Sequence, residues 1–277
     1  SLRLQCENEM RGIVIAAGRG LRMRLYTAEM PKCMLPVNGR PLIEYSLEGL
    51  RKAGCADVTI ITGHLGEKIH APECQRVRND DYENNNILHS LMYARDCFHT
   101  DLLVTYSDIL VNPQLYRQLV DSPGDIVIAV DKDWRQYYEG RTCHPITEAE
   151  KAFVELGDDQ VGRVKAMGKQ LDQSQSAAYL CAEFLGLWKM TAAGAKTFRA
   201  HFEACDAHLS PTAPFQSAKE WRKAYITDFL TDLIAAGAMV NCLVIERGWA
   251  EIDTVQDYER LFAIASRQRL FNWNHEA

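Results

Sequence analysis

Four charged residues of this 277-residue chain sit where phosphoryl chemistry could use them: Arg22, Lys32, Asp108 and Asp253. The first two flank a loop of small residues, Ala16-Ala17-Gly18-Arg19-Gly20-Leu21-Arg22, followed by Thr27 and Pro31-Lys32. Small residues after a strand let backbone N–H groups approach a phosphate or a base. Ala16, Ala17, Gly18 and Gly20 are therefore candidate nucleotide contacts, although Gly-x-Gly alone is equally a simple turn. Arg22 offers a fork for phosphate oxygens and Lys32 a mobile point charge. Together they could neutralise a triphosphate and the charge that grows on its α-phosphorus. The bland alternative is two solvated surface cations. Met23 stands where a dinucleotide fingerprint needs its third glycine, and no GxxxxGK[ST] loop is present.

Asp108 follows the apolar run Leu102–Tyr106 (LLVTY), and Asp253 closes Gly248-Trp249-Ala250-Glu251-Ile252-Asp253. Carboxylates at strand ends point into the ligand crevice of a doubly wound sheet. Mg²⁺ takes a few carboxylates together with phosphate oxygens and waters, and these two aspartates could supply them. The alternatives are a turn or helix cap for Asp108 and a cap of the last helix for Asp253, a task for which Thr254 competes. Asp257 reads as a surface residue. The run from Asn79 to Asn86 precedes Ile87-Leu88-His89-Ser90. Its asparagines could cap a helix or present amides to a pyrimidine edge.

The segment from Asp133 to Pro145 is aromatic and cationic, and in it Arg141 could clamp an acceptor's phosphorus oxygens or merely pack at the surface. Glu183, Trp249 and Glu251 lie towards the same end of the sheet, where carboxylates and an aromatic suit an ammonium group by charge and cation–π attraction. Trp188 and Trp221 read as core, and Tyr225–Asp228 as part of a structural helix, with lining of the acceptor pocket as the alternative. No pair of histidines has metal-ligand spacing, and Ser90 and Ser107 lack a hydrolase partner set.

Strand-length apolar runs that alternate with amphipathic stretches must position these groups. Strands are expected at 11–17, 58–62, 102–106 and 125–130, with helices at 41–53, 87–97 and 113–120. This alternation predicts a doubly wound, mostly parallel, Rossmann-like α/β sheet. Beyond residue 131 an antiparallel, acceptor-binding insertion is expected. It holds a hairpin at 152–156 and 161–167, a strand at 179–188, helices at 191–205 and 217–236, and a late strand at 240–246. Residues 206–214 read as a mobile loop, and a final helix spans 254–269. One domain covers 10–269, with a nucleotide-binding half at 10–131 and an acceptor-binding half at 132–250. Met10 reads as a natural start, residues 1–9 as a tag or leader and 270–277 as a tail.

The loop GxGxR…T…PK after a buried strand, the following VNGRPLIEYSLEGLRKAG and the late Glu251-Ile252-Asp253 resemble the nucleotidyltransferases that activate sugar phosphates and small phosphorylated alcohols. The Asn-Asn…Ser-Leu stretch is similar to that of phosphocholine and phosphonate cytidylyltransferases, and DKDW…YYEGR…HP…EAEK looks like the phosphonate branch. One departure is MRLYT, where many members carry proline after the arginine. The resemblance implies catalytic Mg²⁺ held between Asp108 and Asp253. It implies catalytic roles for Lys32 and Arg22, and cytosine contacts from Asn85, Asn86 and Ser90. It also implies acceptor contacts from Arg141, Glu183, Trp249 and Glu251. The implied reaction transfers CMP from CTP to a small phosphonate or phosphoalcohol, of the 2-aminoethylphosphonate or phosphocholine type. The alternatives are a sugar-1-phosphate nucleotidyltransferase and a non-catalytic nucleotide-binding regulatory subunit. The second should lack the metal aspartates or loop cations, all of which are present.

Composition agrees with a globular enzyme. Lys and Arg number 31 against 37 Asp and Glu, giving −6. That balance disfavours unaided binding to nucleic acid or an anionic membrane. No apolar run approaches bilayer-spanning length. Nine cysteines without a CxxC argue against a disulfide framework or structural zinc, and for a cytoplasmic setting. A homo-oligomer is compatible with all of this.

Overall fold

The computed structural model describes residues 10–157, 161–172, 174 and 177–265. The first strand, β1 (Arg11–Ala16), is followed by a two-residue hairpin, β2 (Pro36–Val37) and β3 (Arg40–Pro41), and by α1 (Leu42–Lys52). Next come β4 (Asp57–Thr62), β5 (Gln75–Arg78), α2 (Ile87–Leu91), β6 (Leu102–Tyr106), β7 (Ile109–Val111), α3 (Pro113–Asp121), β8 (Ile126–Asp131) and α4 (Arg135–Tyr138). The later elements are β9 (Lys151–Leu156), β10 (Val161–Gly168), β11 (Leu180–Met190), α5 (Ala192–His208), α6 (Ile226–Ala235), β12 (Asn241–Ile245), β13 (Trp249–Glu251) and α7 (Val255–Ala265). None of the described helices is long and apolar enough to cross a membrane.

Nine strands form one sheet in the order β5-β4-β1-β6-β11-β8-β12-β10-β9. The first four are parallel, as are β8 and β12. β1 lies between β4 and β6, and its central residues Ile13 and Val14 are wholly buried. A parallel strand covered on both faces must be apolar throughout, which explains the uninterrupted GIVIAA run. Its carboxyl end hands the chain directly to the glycine loop. α1 seals one face with Leu42, Ile43, Leu47 and Leu50, while Glu44 and Glu48 face outward and bind Arg40.

The antiparallel part of the sheet centres on β11, which runs against both β6 and β8. Its first residues also pair with β9, closing a circuit through β8, β12, β10 and β9. The irregularity in β11 falls at Gly186, where φ is +79° and a Cβ would lie 2.2 Å from the Tyr106 ring. Only glycine meets both demands, and it leaves room for the Tyr106 ring, which lines the cleft.

A separate three-residue ladder explains how distant carboxylates meet. β13 pairs antiparallel with β7, setting Glu251 opposite Ile109, and the Ile252 N–H donates to the Asp108 carbonyl at 2.9 Å. Asp108 and Asp253 therefore leave the two strands side by side.

Several expected boundaries move. The helix expected at 87–97 is α2 followed by a 3₁₀ segment broken at Ala94. The helix expected at 217–236 begins only at Ile226, because Asp228 accepts from the Tyr225 N–H and from Ser217, fixing the start there. The 206–214 segment is tied down, since Trp221 donates its indole to Asp206 and its backbone N–H to Ala213. The tip of the β9–β10 hairpin (158–160) and the expected helix beyond 265 lie outside the described residues.

Candidate active site

One cavity opens at the carboxyl ends of β1 and β6. Its first wall is the glycine loop, with Ala16, Ala17, Gly18, Gly20, Arg22 and Lys32. Asp108 and Asp253 form its floor. Lys32 Nζ lies 2.5 Å from Asp108 Oδ2 and 3.2 Å from Asp253 Oδ1. Arg22 reaches Asp253 Oδ2 at 2.6 Å, and His144 Nδ1 approaches the same oxygen at 2.8 Å. Burial opposes ionisation of both partners here. It is outweighed for Lys32 by the Asp108 and Asp253 charges, which hold it above the ordinary lysine range. For Asp253 the His144 hydrogen bond, Lys32 and Arg22 outweigh burial and hold the carboxyl well below the ordinary range. Arg22 is more than half exposed while Asp253 is buried, so the guanidinium is free to turn to an incoming anion. Thr254, with Asp257, caps α7, which frees Asp253 from the capping task weighed for it.

A second wall holds Asn85, Asn86 and Ser90. They are organised by a residue the motif reading did not single out. Asn79, fully buried, exchanges two amide hydrogen bonds with Asn85 at 2.9 and 3.1 Å and donates to Ser90 Oγ at 2.9 Å. Asn86 donates to the Lys223 carbonyl, tying this wall to the segment before α6.

The rest of the cavity lining is acidic and aromatic. Glu183, Trp249 and Glu251 lie there with Tyr106, Tyr138, Phe184 and Tyr225. Tyr138 donates to Glu183 Oε1 at 2.5 Å, while Oε2 is buried without a partner. Burial raises the Glu183 carboxyl well above the ordinary range. Glu150 is pushed up to about 7 by burial and by the neighbouring Glu251, Asp228 and Asp108, with Lys169 opposing. Glu148, Glu150 and Lys169 line the cavity without having been singled out, and Tyr225, weighed as structural or as pocket lining, faces the cavity from the cap of α6. Trp188 and Trp221 are core residues.

Two expectations are corrected. Asp257 is buried, not superficial, and its partner is Arg141. Arg141 does not line the cavity. Its fork binds Asp257 at 2.6 and 3.0 Å and Glu251 at 3.2 Å, and it stacks on Tyr137 and Tyr138. A guanidinium so engaged orients Glu251 and the start of α7 and is not presented to a ligand.

Known proteins resemble this chain in sequence and in fold. CTP:phosphoglutamine cytidylyltransferase of Campylobacter jejuni is 25% identical over 261 residues, covering 90% of this chain and 98% of that one. The CMP-5'-(3-aminopropyl)phosphonate synthase of Streptomyces rubellomurinus is 28% identical over 134 residues, 46% of this chain and 21% of its own. The solved CTP:phosphocholine cytidylyltransferase of Streptococcus pneumoniae has the same fold, with a TM-score of 0.67 at 23% identity over 93% of this chain and 99% of that one. The MobA-like NTP transferase domain matches residues 12–210, from the second residue of β1 to just past α5. That span carries the glycine loop, Lys32 and Asp108, and it is well over half of the chain, which belongs to the MobA-like NTP transferase family.

Proposed function

We propose that this enzyme transfers CMP from CTP to a small phosphonate or phosphorylated alcohol with a cationic amine head group, releasing pyrophosphate. The observation that carries the reading is a single cavity lined by two chemically different groups of side chains. One group is Lys32, Arg22, Asp108 and Asp253; the other is Glu150, Glu183, Glu251 and aromatic rings, and the two meet where the Glu251 carboxylate lies within 4.8 Å of Asp253.

The Asp108 and Asp253 carboxylates fit a hard divalent cation, Mg²⁺ in our reading, because both are oxygen donors converging on one amine, Lys32. When bound, such an ion would offset charge on the triphosphate oxygens. The rest is done by the chain. Arg22 and Lys32 move from the carboxylates to phosphate oxygens as nucleotide enters. Ala16–Gly20 offers backbone N–H groups. The Asn79–Asn85–Ser90 amide cluster presents a fixed hydrogen-bonding edge to cytosine. The acceptor's phosphorus oxygen, already anionic, attacks the α-phosphorus in line; the α–β anhydride bond breaks and pyrophosphate departs with its electron pair. No proton need move, so alignment and charge neutralisation are the protein's contribution.

Pyrophosphate release should be followed with CTP, UTP, ATP and GTP against choline phosphate, aminoalkylphosphonates, phosphoglutamine and a sugar 1-phosphate. CTP with an amine-bearing acceptor is expected to dominate. A sugar phosphate outperforming every phosphonate and phosphoalcohol overturns the acceptor assignment, and CTP binding without turnover on any acceptor favours a regulatory subunit.

Two variants probe the cavity. Asn79→Ala removes the hub of the amide cluster and should raise the KM for CTP about tenfold with kcat little changed, as expected when a binding contact of ~1–2 kcal/mol is lost. An unchanged KM would detach the cluster from the base. Glu150 bears on pH. Its charge appears only as pH rises through about 7, so affinity for a cationic acceptor should climb between pH 6 and 8. Lys169 on β10 opposes that charge, while Glu251, Asp228 and Asp108 add to it. Glu150→Gln should flatten the profile; an unaltered slope in the variant assigns the pH dependence to substrate ionisation.

A further inference from the structure

We propose that His201, Cys205 and Asp232 form a second metal site, outside the catalytic cavity and independent of the transferase reading, with Zn²⁺ as the fitting ion. His201 and Cys205 stand four residues apart on α5, so their side chains project from one face. Asp232 meets them from α6. His201 Nε2 lies 2.8 Å from Asp232 Oδ2, Cys205 Sγ lies 3.9 Å from that oxygen, and one ligand atom from each residue lies within 4.8 Å of the others.

Zinc bonds of ~2.0–2.3 Å to nitrogen, oxygen and sulfur place tetrahedral ligand atoms roughly 3.3–3.6 Å apart. The nitrogen–oxygen separation must therefore open and the sulfur–oxygen separation close by a few tenths of an ångström, within the reach of side-chain rotation. The set joins a borderline imidazole, a soft thiolate and a carboxylate, which favours Zn²⁺ over Mg²⁺. Outer contacts already aim the ligands. Gln216 donates to Asp232 Oδ1 at 2.9 Å, leaving Oδ2 towards the histidine and cysteine. The His201 ring packs edge-on to Phe229 with centroids 5.3 Å apart. Such second contacts fix ligand orientation. All three ligands are partly exposed, so solvent can reach the ion, bring its fourth ligand as water and take the thiol proton. Neutral imidazole, thiolate and carboxylate leave the occupied site uncharged. The absence of CxxC, which argued against zinc, tests only for cysteine pairs; a histidine and a cysteine at helical spacing escape it.

The test uses the full chain, freed of metal by chelation and kept reduced. Co²⁺ should give a thiolate-to-cobalt charge-transfer band, and Zn²⁺ should bind against a competing chelator and raise Tm. Cys205→Ser should abolish the band and weaken Zn²⁺ by ~100-fold or more, beyond the 10–100-fold typical of outer contacts. His201→Gln should weaken it comparably, while Cys143→Ser and Asp253→Asn leave the band intact. A missing band in the native chain, a band that survives Cys205→Ser, or unchanged affinity in both Cys205→Ser and His201→Gln overturns the site.

Discussion

Asparagine in place of Asp108 or Asp253 is expected to slow pyrophosphate release by about 10³-fold or more, each change alone sufficing. The side-chain shape survives, so what is lost is the negative charge that Lys32 and Arg22 now hold and that a divalent ion would take. Removing one preorganised electrostatic partner in a buried site costs ~10²–10³ in turnover, and loss of a cation as well costs more. Asp253 carries an additional stability effect. Its folded-state carboxyl ionises at lower pH than in the unfolded chain. It therefore stabilises the fold above the ordinary carboxylate range, and that contribution fades as pH falls through the folded value. Asp253→Asn should consequently lower Tm at neutral pH, whereas Asp108, more exposed, should show the kinetic loss with a smaller thermal one. Activity is therefore to be expressed per folded molecule, with folding measured by circular dichroism. Near-native pyrophosphate release from either variant removes that aspartate from the reaction.

The parts of this site that depend on local sequence are the parts a reader of the sequence can find. The strand before the glycine loop announces itself because a strand buried on both faces needs an unbroken apolar run, while the small residues after it gain meaning only from the flanking Arg22 and Lys32. Asp108 is legible for the same reason, as the first acid beyond LLVTY. Its convergence with Asp253 is legible only through the family resemblance and not from local sequence. It depends on a three-residue ladder between β7 and β13, too short to leave a periodic pattern, joining positions more than a hundred residues apart. The closed circuit of β11, β8, β12, β10 and β9 is hidden likewise, because strand alternation gives burial and not partners. Asn79 vanishes into an asparagine-rich stretch in which any amide could cap the following helix. His144, Glu148 and Glu150 lie in a connection without regular periodicity between β8 and β9, so no spacing marks which of its polar groups turn inward. Asp257 was findable: Thr254 and Asp257 stand three apart before an apolar helical run, a capping signal, and such an acid folds back on the helix start.

Arg141→Ala should destabilise the protein by about 3–5 kcal/mol, the usual cost of removing one partner from a buried ion pair, and lower Tm by roughly 10 °C for a chain of this size. The Arg141 and Asp257 side chains are each 1% exposed, and Glu251 shares the guanidinium. Deletion leaves both carboxylates facing each other without their common cation and removes the plate stacked on Tyr137 and Tyr138. Burial alone would raise the Asp257 carboxyl; Arg141 outweighs it and keeps the folded value low. The native advantage is therefore fully present above the ordinary carboxylate range and shrinks as pH falls. The Tm gap between native and variant should be widest from neutrality down to the ordinary carboxylate range and narrow only as pH falls below it. Adding Asp257→Asn removes one orphaned charge and should restore part of the loss, a coupling that a solvent-facing arginine would not show. A variant with native Tm but a raised KM for acceptor would reverse this assignment, returning Arg141 to the substrate and requiring its fork to leave Asp257 when the acceptor binds.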